Sequence, residues 1–166
     1  MKTLSNISKV LLVIVLALVL TGCRRTKQYV KSENYNIELK TKNQYSVKYE
    51  SMYFRTAREE AMIRGEDFKI GVENPIKIKN EKEFNKIKKE YKSKDRFKEV
   101  KYSGYKGFQF YTDSYMRNEV YLNINNKYIM RLNVYGRGSN KDKIYKILDS
   151  KDVKDILKHM KVSVIK

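Results

Sequence analysis

Apolar residues fall at every second position over much of this chain. Tyr35, Ile37 and Leu39 alternate with polar neighbours, Thr41-Lys42-Asn43 breaks the run, and Tyr45, Val47 and Tyr49 alternate again. That pattern predicts a β-hairpin. Phe68, Ile70 and Val72 predict another strand, interrupted at Pro75 and resumed at Ile76 and Ile78. Further on, Phe97–Tyr102, Tyr105–Thr112, Glu119–Ile124 and Lys127–Tyr135 read as an antiparallel meander. Its turns are Ser103-Gly104 and Asn125-Asn126, and Asn tolerates the positive φ angles of a tight hairpin. Val162, Val164 and Ile165 predict a last strand.

Helical spacing appears in three places. Phe54, Ala57, Ala61 and Met62 share a helical face, which predicts a short helix over 55–63 stopped by Gly65; a strand continued through Tyr53, Arg55 and Ala57 is the competing reading. The best-marked helix follows Asn80, with Glu83 at capping-box spacing and Phe84, Ile87 and Tyr91 on one face. Its other face carries Lys82, Lys86 and Lys89. Ile144, Ile147 and Leu148 begin a terminal helical region, which Ser150 caps anew before Val153, Ile156, Leu157 and Met160. Strands, helix, meander, helix is the order of an α+β fold: a mostly antiparallel sheet, hairpin plus meander, covered by two or three helices. One domain over 35–166 is expected, without internal repeats. The layout from about residue 65 onward, with the pattern from Ser150 to Lys161, resembles the small PsbP/Mog1-like domains, which implies a non-enzymatic module.

A different pattern opens the chain. Val10 to Leu20 is an unbroken apolar run behind Lys2 and Lys9. It is shorter than the roughly 20 residues a membrane-spanning helix needs and suits the core of an export signal. Leu20-Thr21-Gly22-Cys23 follows directly. This sequence resembles the lipobox of bacterial lipoprotein precursors. The resemblance implies that residues 1–22 are a signal peptide cleaved between Gly22 and Cys23, and that the Cys23 thiol carries a diacylglyceryl group. Two acyl chains hold a protein firmly where one binds marginally. Arg24, Arg25 and Lys27 would then stand beside the headgroups, and residues 23–34, which show no period, read as the lipidated cysteine and a short basic tether.

Composition narrows the chemistry. The 166 residues carry 37 basic against 19 acidic side chains, a net charge of +18, with 14 Tyr, one Cys and one His. One Cys excludes an internal disulfide and a multi-cysteine zinc site, and one His excludes a two-histidine metal site. No metal or cofactor is expected. His159 reads as a helix residue near a C-terminus, where a cation suits the helix dipole. Glu59/Glu60 and Glu66/Asp67 are adjacent pairs whose side chains diverge, so they are poor acid–base partners. Phosphate-binding, calcium-binding and nucleophile-elbow motifs are absent from the sequence.

Lys and Tyr interleave along the chain, as at Lys48-Tyr49, Lys101-Tyr102 and Lys127-Tyr128. In the cytosol that would suggest nucleic acid; outside the membrane the anions are lipid headgroups and wall polymers. The plainer account is a solvated surface with tyrosines packed in strands. The expected function is a membrane-anchored extracytoplasmic lipoprotein, a non-catalytic binding module in contact with anionic envelope components. Lys82, Lys86 and Lys89 are the candidate anion-contacting residues. Two other classes compete: an immunity lipoprotein that intercepts a membrane-active peptide, since size, anchor and amphipathic surface resemble the lantibiotic-immunity lipoproteins in general form, and a hydrolase with an unrecognised carboxylate site.

Overall fold

A computed structural model describes residues 25–49, 52–54, 57–138 and 140–165, with residues 52–54 and 57–60 described in their backbone alone. Residues 1–22, read from sequence as a signal peptide, and Cys23 lie outside the described residues. The fold is α+β. Its strands are β1 (Thr26–Lys31), β2 (Tyr35–Thr41), β3 (Ser46–Lys48), β4 (Met52–Phe54), β5 (Ala57–Arg64), β6 (Phe68–Glu73), β7 (Ile76–Lys77), β8 (Lys98–Tyr102), β9 (Tyr105–Thr112), β10 (Arg117–Ile124), β11 (Tyr128–Gly136) and β12 (Met160–Val164). Its helices are α1 (Glu81–Glu90), α2 (Lys141–Lys146) and α3 (Lys151–His159).

Two antiparallel sheets form. The larger runs β3-β5-β6-β11-β10-β9-β8, with β4 on β5 and β7 on β11; the smaller runs β1-β2-β12. Val120, Leu122 and Ile124 of β10 point into the main core, which also holds Ile37 and Leu39 of the small sheet and Val153, Ile156 and Leu157 of α3. Tyr121, one residue out of phase, points the other way into a second cluster with Phe84 of α1 and Phe108 and Phe110 of β9. The small sheet and α3 therefore cover one face of the large sheet and α1 covers the opposite face, because successive strand residues alternate sides.

Local signals act as expected at α1. The Asn80 side chain accepts from the Glu83 amide at 3.2 Å, while Glu83 Oε2 reaches back to the Lys79 amide at 2.6 Å. Phe84 is buried and Ile87 and Tyr91 pack beside it, with Tyr91 stacked on Phe110 at 4.8 Å between ring centroids. Ser150 caps α3 through the Val153 amide. The meander also forms. Ser103 and Gly104, like Asn125 and Asn126, take the positive φ angles their turns require. Lys127 belongs to the second turn, so β11 begins at Tyr128. In β9, a Cβ on Gly107 would stand 2.3 Å from the Tyr121 carbonyl oxygen, so only glycine fits that approach.

Four expectations are corrected. Residues 57–64 are strand β5 and not a helix: Ala61 and Ile63 enter the main core while β5 pairs with both β3 and β6. Pairing on two sides outweighs the helix-forming composition of that segment. Gly65 instead makes room for the Phe68 ring, whose nearest atom lies 2.1 Å from where a Cβ would be. The hairpin over 35–49 does not form. β2 pairs with β1 and β12, whereas β3 joins β5 in the other sheet. The stretch read as a tether is ordered from Thr26 as β1, with Val30 fully buried. Met160, placed on the last helical stripe by its spacing, is the first residue of β12.

Candidate functional site

The face of the large sheet away from α3 carries a polar centre set in three rows. Cross-strand pairing aligns Met62, Gly71, Asn133, Glu119 and Phe110 in one row, with Arg64, Lys69 and Tyr135 beginning the next beside Arg117 and Thr112. Glu73, Arg131 and Tyr121 stand on the other side of that central row. Glu119 is the hub. Its Oε1 accepts from Thr112 Oγ1 at 3.2 Å and from Arg117 Nε and Nη2 at 3.2 and 3.0 Å. Its Oε2 accepts from the Tyr121 hydroxyl at 3.1 Å and from Arg131 Nε and Nη2 at 3.1 and 2.7 Å. Arg131 Nη1 also donates to Glu73 Oε2 at 3.1 Å, and Asn133 Nδ2 donates to Glu73 Oε1 at 2.6 Å.

Arg117 is 1% exposed and Glu119 4%. Charges so deep are tolerable only when paired and fully hydrogen-bonded, and here two guanidinium forks close on one carboxylate. Burial opposes ionisation of Glu119, but Arg131 and Arg117 outweigh it and hold the carboxyl below its usual range. For Glu73 burial wins and the carboxyl sits above that range, although Arg131 draws it down. Burial also pushes the Tyr121 hydroxyl up, keeping it a donor to Glu119. With both oxygens occupied by cations, Glu119 has no lone pair directed at solvent. The cluster is a fixed electrostatic frame.

Arg117 links this frame to an open cleft. Its Nη1 donates to the Tyr135 hydroxyl at 3.1 Å and its guanidinium lies 4.8 Å from the Tyr115 ring centroid. Tyr115 and Tyr135 line a cleft of about 580 Å³ with Met62, Phe68, Arg64, Lys69, Arg137 and Met116. Glu66 is the one acid among its described lining residues. Met116 holds a left-handed backbone conformation at φ 45° and stands half exposed at the rim. Cations, aromatic rings and thioethers together suit an anionic ligand with an apolar part.

Comparison with protein-family models, curated proteins and solved structures found no match.

The residues singled out from sequence lie elsewhere. Lys82, Lys86 and Lys89 are exposed on α1, apart from the cleft lining. His159 ends α3, where its Nδ1 lies 3.1 Å from Asp155 Oδ1; Asp155 Oδ2 accepts from the Lys42 amide at 2.7 Å. That aspartate fastens the turn after β2 to α3. No group of three or more His, Cys, Asp or Glu side chains suited to a metal occurs among the described residues. Sequence reading missed the Glu119 cluster because alternation assigns the polar face of a strand to solvent. Arg117, Glu119 and Tyr121 at period 2, opposite Arg131, Asn133 and Tyr135 across a marked turn, were the available signal.

Proposed function

We propose that this chain is an exported bacterial lipoprotein, acylated at Cys23 and facing the extracytoplasmic side of the cell membrane, where it acts as a non-catalytic binding module for anionic envelope components. The carrying observation is the lipobox Leu20-Thr21-Gly22-Cys23 set only three residues before an ordered strand. Three residues span at most about 11 Å, so an acylated Cys23 keeps the folded domain against the bilayer. The cleft supports binding of an anionic ligand through Arg64, Lys69 and Arg137. The non-catalytic reading rests on the carboxylates: Glu119 is consumed by two guanidinium groups, and Glu66 and Asp67 lie together in the turn between β5 and β6.

Mass spectrometry of the chain from bacterial membranes should find residues 1–22 removed and a diacylglyceryl group on Cys23. Cys23→Ser should abolish acylation, since a hydroxyl is a far weaker nucleophile than a thiolate, and should leave the signal uncleaved. An unmodified Cys23 in a chain that still carries its first residue would overturn the proposal.

A further inference from the structure

The small sheet buries one face, and among the described residues no element covers the other. Thr26, Gln28 and Val30 of β1 point inward with Ile37 and Leu39 of β2 and Met160 and Val162 of β12. The outward residues are therefore Lys27, Tyr29 and Lys31; Asn36, Glu38 and Lys40; and Lys161 and Ser163. Four lysines share this face with one acid. Glu38 takes Lys27 at 3.2 Å and Lys40 at 3.5 Å, while Tyr29, 40% exposed, lies beneath the ammonium groups of Lys27 and Lys31 at 5.3 and 5.5 Å from its ring centroid.

Its position adds direction to its charge. Lys27 is four residues from Cys23, a reach of about 14 Å at most. By contrast, α1 with Lys82, Lys86 and Lys89 covers the far side of the large sheet, as does the cleft beside Tyr135. A domain tethered through β1 presents the small sheet to the membrane before anything else.

We infer that the outward face of the β1-β2-β12 sheet rests on a bilayer rich in anionic phospholipid, with Lys27, Lys31, Lys40 and Lys161 against the phosphates and Tyr29 at headgroup depth. The inference rests on the lipoprotein reading and extends it to an orientation. Surface lysines gain from an anionic leaflet over about a Debye length, and tyrosine favours the headgroup zone because its ring is apolar and its hydroxyl wet. α1 and the cleft then face away from the membrane, open to soluble or wall-borne anions.

The test is lysine acetylation followed by mass spectrometry, on the full chain as isolated from membranes. It is carried out in vesicles of phosphatidylcholine alone and in vesicles containing phosphatidylglycerol. Lys27, Lys31, Lys40 and Lys161 should label several-fold more slowly with phosphatidylglycerol, while Lys82, Lys86 and Lys89 keep one rate. Raising salt from about 0.1 M to about 1 M, where the Debye length falls from about 10 Å to about 3 Å, should erase the difference. Replacing the four lysines by glutamine should leave no phosphatidylglycerol effect on acetylation of the remaining lysines. Equal labelling in both vesicles, or protection confined to the α1 lysines, overturns the inference. So does protection by a soluble poly(glycerol phosphate) in phosphatidylcholine vesicles without any from phosphatidylglycerol, which assigns the face to wall polymer. The mass of the Cys23 peptide from the same digest reports separately on the anchor, so the two readings fail independently.

Discussion

Glu119 and Glu38 are built alike and behave differently. Each lies on an interior strand of its sheet. Each has a cation two residues away on its own strand, Arg117 or Lys40, and another from the neighbouring strand, Arg131 or Lys27. Each has a tyrosine nearby whose ring faces the cross-strand cation, Tyr121 beneath Arg131 at 5.4 Å and Tyr29 beneath Lys27 at 5.3 Å. What differs is water. The Glu119 pairs are held by fork-shaped guanidinium groups, with Arg117 and Glu119 almost wholly buried; the Lys27 and Lys40 side chains are more than half exposed. Buried, the arrangement is a structural joint that would be costly to break. Exposed, it is a loosely paired surface with cations to spare.

The largest expected effect comes from breaking the buried joint. Glu119→Gln removes the charge shared by Arg117 and Arg131, leaving the buried Arg117 without a carboxylate and Arg131 with Glu73 alone. The expected loss is about 3–5 kcal/mol of folding stability, the range for removing one partner of a buried pair. Denaturant melts would measure it. A loss below about 1 kcal/mol would mean that water reaches the cluster and that the contrast with Glu38 is false.

Acid should separate the two buried carboxylates. Glu73 sits above its ordinary value of 4.5, so on acidification the folded state takes up its proton first. Stability should rise as pH falls from the folded value of Glu73 toward 4.5. Glu119 sits below 4.5. Its contribution is complete above that value and is lost as pH falls through its folded value, because the unfolded chain then binds more protons. Stability against pH should therefore pass through a maximum on the acid side, and Glu73→Gln should flatten the rising limb only. A curve that falls without a maximum would show that Arg131 outweighs burial at Glu73.

The same divide between local and distant physics governed what the chain made legible. Asn80 with Glu83, Ser150 before Val153, and Asn125-Asn126 are interactions within a few residues, and each took the structure its sequence implied. β2 takes β1 just before it and β12 far along the chain, and β5 is held between β3 and β6; which strands pair is a tertiary outcome that alternation within one segment does not state. At β5 the local composition even favours the wrong element, since Ala, Arg, Glu and Met are good helix formers. Arg117 and Glu119 look solvated on their own strand; their burial comes with Tyr115, Tyr121, Tyr135 and Arg131, brought beside them by segments whose placement is a tertiary fact. The cleft shares that difficulty, because Arg64, Tyr115 and Arg137 are far apart in sequence and meet only when β5 and β11 share a sheet.

The smallest structural effect should come from the exposed twin. Glu38→Gln deletes the one acid on the outward face of the small sheet, yet Lys27 and Lys40 keep their water, so the thermal midpoint should not move. Exposed ion pairs contribute little because solvent already screens both charges. The functional sign is the reverse of the structural one. Glu38 now competes with phosphate for Lys27 and Lys40; without it both ammonium groups are released to the bilayer. In the acetylation experiment, protection of these two lysines by phosphatidylglycerol should therefore increase in Glu38→Gln, and Lys161, aligned opposite Glu38 on β12, should follow. Lys31, aligned with Asn36, should change least. Protection that falls in this variant would mean that Glu38 orders the lysines for contact, and the exposed cluster would then be a preorganised joint like the buried one.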